Sequence, residues 1–137
     1  MIVIHCSINR MARRDWCFTS FDREMIQKVV DRTMTLPNGV TYLCCQVELC
    51  PDTGREHVQG FALTKPMRLV ALKKAFNDGT MHVEPRRAPT RELARDYCKK
   101  IESRVDADAE PLELGEFITQ VCFNSALDIY LWSFLTL

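Results

Sequence analysis

The sequence predicts an α+β fold of the split β-α-β kind (RRM-like or ferredoxin-like), an antiparallel sheet with helices packed on it. Three observations point there. Segments with β-favouring composition and segments with helical apolar spacing alternate in the order β-α-β-β-α-β-α. Two apolar runs, Val40 to Leu49 and Glu56 to Thr64, flank Pro51-Asp52-Thr53-Gly54, whose turn chemistry closes an antiparallel hairpin. Finally, 137 residues that are 47% hydrophobic and 26% charged suffice for one modest core and exclude wholesale disorder.

Each element has a local cause. Asp15 to Ser20 (Asp-Trp-Cys-Phe-Thr-Ser) is rich in aromatic and β-favouring residues and reads as the first strand. Asp22 is a candidate N-cap for a helix over 23–36, with Ile26, Val29, Val30 and Met34 at helical spacing and Pro37-Asn38-Gly39 as its stop. The hairpin follows. Leu69, Leu72, Ala75 and Phe76 predict a short amphipathic helix ending before Asn77-Asp78-Gly79. Thr80 to Glu84 is a short strand closed by Pro85. Thr90 caps a helix to about Ile101, with Leu93, Ala94, Tyr97 and Ile101 along one side.

The formal net charge is zero, but the charge is unevenly placed. Residues 63–105 carry eleven basic side chains against five acidic, while 106–137 carry six acidic and none basic. A basic block of this kind suits a polyanion, although a solvated helix face gives the same count. Seven cysteines without a Cys-x-x-Cys pair read as reduced thiols, with Cys44 and Cys45 on opposite strand faces. Cys45, Cys50 and His57 form a conceivable metal set. No phosphate loop is present, so ATP is not expected as a partner. The first apolar run is too short for a signal peptide. Phe117 to Leu137 is apolar with Asp128 as its one charge. Lacking basic flanks, it reads as a buried or partner-binding helix rather than a membrane span.

Three groups of residues could carry chemistry. Strand alternation places His57 and Gln59 on one face, with Glu48 almost opposite His57 across the hairpin. A carboxylate, an imidazole and an amide oxygen suit Mg²⁺ or Mn²⁺ better than structural zinc; a polar sheet face with an incidental histidine is the alternative. Tyr97 and Lys100 lie one helical turn apart. A tyrosine hydroxyl can attack phosphorus when a cation stabilises the phenolate, with Lys100 available as that cation or as proton donor to the leaving oxygen. Arg87, Arg91 and Arg95 at i, i+4, i+8, with Lys99 and Arg86, would form a strip tracking a phosphate backbone. Trp16 and Phe18 would offer stacking surface to unpaired bases, or belong to the core.

Together these residues resemble the HUH-type replication-initiator (Rep) endonuclease domain of small circular single-stranded DNA viruses, of the nanovirus, alphasatellite and circovirus kind. Three motifs carry the resemblance in order and spacing: Cys17-Phe18-Thr19, His57-Val58-Gln59-Gly60-Phe61 and Tyr97-Cys98-Lys99-Lys100. Glu113-Leu114-Gly115-Glu116-Phe117 follows the family's usual ending, with Leu114 in place of an aromatic. Ser20-Phe21-Asp22 stands where the family usually has an Asn-rich turn.

The resemblance implies a metal-dependent DNA endonuclease and nucleotidyltransferase. It would nick and rejoin single-stranded origin DNA in a viral stem-loop through a covalent 5′-phosphotyrosine during rolling-circle replication, in the host nucleus. By position, Tyr97 is the nucleophile and Lys100 the auxiliary cation. Glu48, His57 and Gln59 bind the divalent cation, and Cys17, Phe18 and Thr19 lie in the origin-recognition strand. Residues 15–117 would be this domain, 1–14 an extension and 118–137 an apolar tail in place of the family's helicase. Full-length Rep or a second copy of the chain is a further partner the resemblance allows, and a membrane is not expected. The alternative is a catalytically silent or truncated Rep variant acting as an origin-DNA-binding module. An RNA-recognition domain shares the element order, but the polar trio stands where stacking aromatics would be needed.

Overall fold

The computed structural model describes residues 11–119. Five strands, β1 (Arg13–Ser20), β2 (Val40–Leu49), β3 (Glu56–Met67), β4 (His82–Pro85) and β5 (Leu112–Gly115), form one sheet in the order β4-β1-β3-β2-β5. Every neighbouring pair is antiparallel. β3 lies between β1 and β2, which is the split β-α-β arrangement. Three helices, α1 (Arg23–Val30), α2 (Leu69–Ala75) and α3 (Arg91–Tyr97), pack on it.

The sheet separates two apolar clusters. On one face Trp16, Phe18, Leu43, Cys45, Val58 and Ala62 meet Met25, Ile26 and Val29 of α1 and Leu72 of α2. On the other, Tyr42, Cys44, Phe61 and Leu63 meet Ala94 of α3 and Cys98 just beyond it. Full burial of each large apolar side chain contributes about 1.5–3 kcal/mol, so the first face carries most of the stability. Cys44 and Cys45 take opposite faces, as alternation requires. Burial pushes the Cys44 thiol up to about 12, and those of Cys45 and Cys98 higher still. The five described cysteines are unpaired.

The hairpin strand β2 has the expected limits, but other elements differ for identifiable reasons. α1 stops at Val30 rather than near residue 36. Arg32 takes a left-handed conformation (φ 56°), and the Arg32 and Thr33 N–H groups cap the Val29 and Lys28 carbonyls in a Schellman motif. Asn77 (φ 54°) ends α2 in the same way. α3 stops at Tyr97 rather than near Ile101, because Cys98 and Lys99 donate to Arg95 and Asp96 and tighten the last turn. β1 begins two residues earlier than expected. β4 begins later and includes Pro85, which an edge strand tolerates. β5 was not anticipated; it pairs with β2 and buries Leu112.

Gly60 has a packing reason. It pairs with Phe18 across β1 and β3, and a Cβ there would clash with the tip of the Phe18 ring. Among the described residues no helix is long and apolar enough to cross a membrane, and residues 120–137 of the apolar tail lie outside them.

Candidate active site

The hairpin register places Glu48 directly opposite His57 and Gln46 opposite Gln59, all on the face covered by α3. Glu48 is only 2% exposed. Its Oε1 accepts from Ser103 Oγ at 2.9 Å and lies 3.4 Å from Lys100 Nζ and 4.0 Å from His57 Nε2. Its Oε2 accepts from Gln46 Nε2 at 2.9 Å. The His57 ring packs against Phe21, with centroids 5.4 Å apart, and Arg55 stacks on the outer face of Phe21 at 4.4 Å. The His57 Nδ1 atom is buried and has no hydrogen-bond partner. Gln59 Oε1 accepts from Thr19 Oγ1 at 3.0 Å.

Tyr97 ends α3 with its side chain outward, 59% exposed. The Lys100 ammonium sits 3.8 Å from the centre of the Tyr97 ring. Burial works against that ammonium, but hydrogen bonding to Tyr97 and the charge of Glu48 outweigh it and raise the Lys100 pKa. Nucleophile candidate, cation and carboxylate–imidazole pair therefore meet at one end of the sheet, although Tyr97 and His57 are forty residues apart in sequence.

These residues fit a hard divalent cation. An imidazole with a buried nitrogen, Nδ1, that has no hydrogen-bond partner, and a carboxylate 4.0 Å from the other ring nitrogen, are donor groups of the right chemistry. No cluster of three or more His, Cys, Asp or Glu occurs among the described residues, so the Gln59 amide oxygen would be needed as the third protein ligand. The set Cys45, Cys50 and His57 is not formed. Cys45 points into the α1 side of the sheet and His57 to the α3 side.

The nucleic-acid residues are placed differently from expectation. Trp16 and Phe18 are 0% and 1% exposed within the main core and offer no stacking surface. Cys17 and Thr19, which alternate with them, face the site side. The arginine strip is not formed either. Arg87 precedes α3 and pairs with Glu84 at 3.2 Å. Arg86 and Arg91 both turn onto Asp15: Oδ2 accepts from Arg86 Nε at 2.9 Å and Arg91 Nε at 2.8 Å, and Oδ1 from Arg91 Nη2 at 2.8 Å. Burial raises the Asp15 pKa, but these two guanidiniums outweigh it and hold the carboxyl below its ordinary value. Arg95 stacks on Phe117 at 4.3 Å, and Lys99 pairs with Glu113.

The apolar row Leu93, Tyr97 and Ile101 faces outward instead of inward, each being more than half exposed. The buried side of α3 is Ala94, with Cys98 at its cap, small residues that let the helix lie close to Cys44 and Phe61. Sequence reasoning missed Phe21, Gln46, Ser103 and Arg104. An aromatic residue directly after the first strand was the signal for Phe21, and strand alternation from Glu48 was the signal for Gln46; Ser103 and Arg104 carried none.

Residues 13–101 match the family model described as "Putative viral replication protein". Among curated proteins, the Para-Rep C2 of Milk vetch dwarf C2 alphasatellite is 30% identical over 106 residues, which cover 77% of this chain and 36% of that relative. The chain thus spans about a third of that relative's length, and the family match over residues 13–101 includes all three motifs and the Glu48–His57 pair.

Proposed function

We propose, from the premise that the chain belongs to the viral replication protein (Rep) family of small circular single-stranded DNA viruses, that it nicks and rejoins single-stranded origin DNA through Tyr97. The observation that carries this reading is the meeting of an exposed tyrosine, a lysine ammonium against its ring, and the Glu48–His57 pair on one sheet face.

In the nicking step, Tyr97 Oη bonds to the scissile phosphorus, and the bond from phosphorus to the 3′ oxygen breaks. The phenolic proton passes to solvent. The leaving 3′ oxygen takes a proton from water. The products are a 5′-phosphotyrosine and a free 3′-OH. Attack by a 3′-OH on that phosphorus reverses the step, so the energy of the phosphodiester is conserved in the protein link and ATP is not required. Glu48, His57 and Gln59 would hold a Mg²⁺ or Mn²⁺ ion, which when bound polarises a phosphate oxygen. Lys100 meanwhile holds positive charge against the developing phenolate, and Phe21 fixes the His57 ring. Cys17 and Thr19 supply polar atoms on the strand nearest Gln59 for contact with the DNA. The work would take place in the host nucleus.

The test uses single-stranded origin oligonucleotides labelled at both ends, with and without Mn²⁺, on wild type and Tyr97→Phe. The expected result is a metal-dependent cut whose 5′ product is linked to protein, abolished in Tyr97→Phe. Binding without covalent product across several viral origins would overturn the nicking reading and leave an origin-binding module.

A further inference from the structure

Gln46 is a buried amide in β2, 3% exposed, two residues from Glu48 on the same face. Both of its N–H groups and its amide oxygen have partners. Nε2 donates to Glu48 Oε2 at 2.9 Å and to the Lys100 carbonyl at 2.7 Å, while Oε1 accepts from Arg104 Nε at 2.9 Å. The opposite amide orientation would set an oxygen against a carboxylate and a carbonyl, so the network fixes it. Arg104 in turn donates Nη2 to the Lys99 carbonyl and Nη1 to the Ala109 carbonyl, each at 2.8 Å. Lys99 and Lys100 are the residues that leave α3, where carbonyls have no helical partner. The chain then runs back beside β2, through Leu49 N–H to Ser103 and Val105 N–H to Val47.

We infer that Gln46 is a positioning residue for the cleavage reaction, setting the Glu48 carboxylate against the Tyr97–Lys100 turn, with Arg104 holding Gln46 in place. With Oε2 fastened to Gln46, Oε1 is the oxygen turned towards Lys100 and His57. One amide therefore spaces the cation-binding carboxylate from the backbone that carries the nucleophile. Partners of metal ligands typically change metal affinity or activity by about 10- to 100-fold when removed.

The assignment rests on the proposed reaction, so its test includes a readout outside that reaction. Mn²⁺ binding is titrated by electron paramagnetic resonance on wild type, Gln46→Met and Arg104→Met, beside single-turnover cleavage and oligonucleotide binding in EDTA. Gln46→Met is expected to weaken Mn²⁺ binding at least about 10-fold and to slow cleavage, with partial recovery at higher Mn²⁺ and oligonucleotide affinity unchanged within about twofold. Arg104→Met shifts the same quantities in the same direction and carries the test should Gln46→Met fail to fold. Unchanged Mn²⁺ affinity in a folded variant overturns the assignment whatever the cleavage rate, because a loosened α3 alone would slow cleavage. A wild type that binds Mn²⁺ but does not cleave refutes the nicking reading while a weakened Gln46→Met still supports the positioning role. Equal Mn²⁺ binding in both proteins, including none, overturns it.

Discussion

Replacing Asp15 with Asn should destabilise the fold in a pH-dependent way. Asp15 accepts three charge-assisted hydrogen bonds from Arg86 and Arg91, and the three side chains are between 14% and 16% exposed. A net hydrogen bond to a charged group contributes about 1.5–3 kcal/mol, and breaking a fully buried ion pair costs about 3–5 kcal/mol. The Asp15 site is at the rim of water, and Asn keeps one carbonyl acceptor. The expected loss is therefore about 2–3 kcal/mol at neutral pH, below the sum of the separate bonds. The folded-state pKa of Asp15 is lowered, so its contribution is present above the unfolded pKa of about 3.9 and disappears as pH falls through the folded value. Urea denaturation of wild type and Asp15→Asn should thus give a full difference from about pH 7 to pH 5 that shrinks below about pH 4. A difference under about 0.5 kcal/mol at neutral pH, or one independent of pH, would refute the reasoning. The same carboxylate joins β1 to the first turn of α3, so cleavage should fall along with stability.

Two further outcomes follow from packing and capping. Gly60→Ala should lose about 1–3 kcal/mol by overpacking the Phe18 ring, and Phe18→Leu in the same chain should restore part of it, as a double-mutant cycle in urea would show. Asp22 accepts from the Met25 N–H at 3.0 Å. Asp22→Ala should lower stability by about 1 kcal/mol and leave single-turnover cleavage unchanged at permissive temperature, because α1 lies on the sheet face away from Tyr97.

The hairpin and its register were legible because a four-residue turn between two β-rich runs leaves few ways to pair them; Glu48 opposite His57 follows directly. Helix limits were less legible. The periodicity through Ile101 suggests a longer α3, but the carbonyls of Lys99 and Lys100 are taken by Arg104 and Gln46, groups that local spacing does not reveal. Apolar residues at i, i+4, i+8 suggested that Leu93, Tyr97 and Ile101 are buried, yet the close approach of α3 to the sheet selects Ala94 and Cys98. Alternation gave the parity of β1 correctly and left open which face receives Phe18. The fate of Arg86 and Arg91 was hidden for a different reason: their partner, Asp15, is more than seventy residues away. β5 is four residues with one acidic side chain, too short and too polar to stand out, and its alternating Leu112 and Leu114 were the available signal.

The sheet acts as a partition between the two apolar clusters, and that arrangement bears on how such a chain can diverge. The side holding α1 and α2 contains most of the large fully buried side chains, whereas the side holding α3 mixes a few apolar groups with thiols and polar residues. Tyr97 itself is exposed and contributes little to either cluster. A lineage could therefore replace Tyr97, or remodel the turn after it, while the opposite side preserves the fold. Such a change would be a short mutational step that leaves a persistent, folded protein.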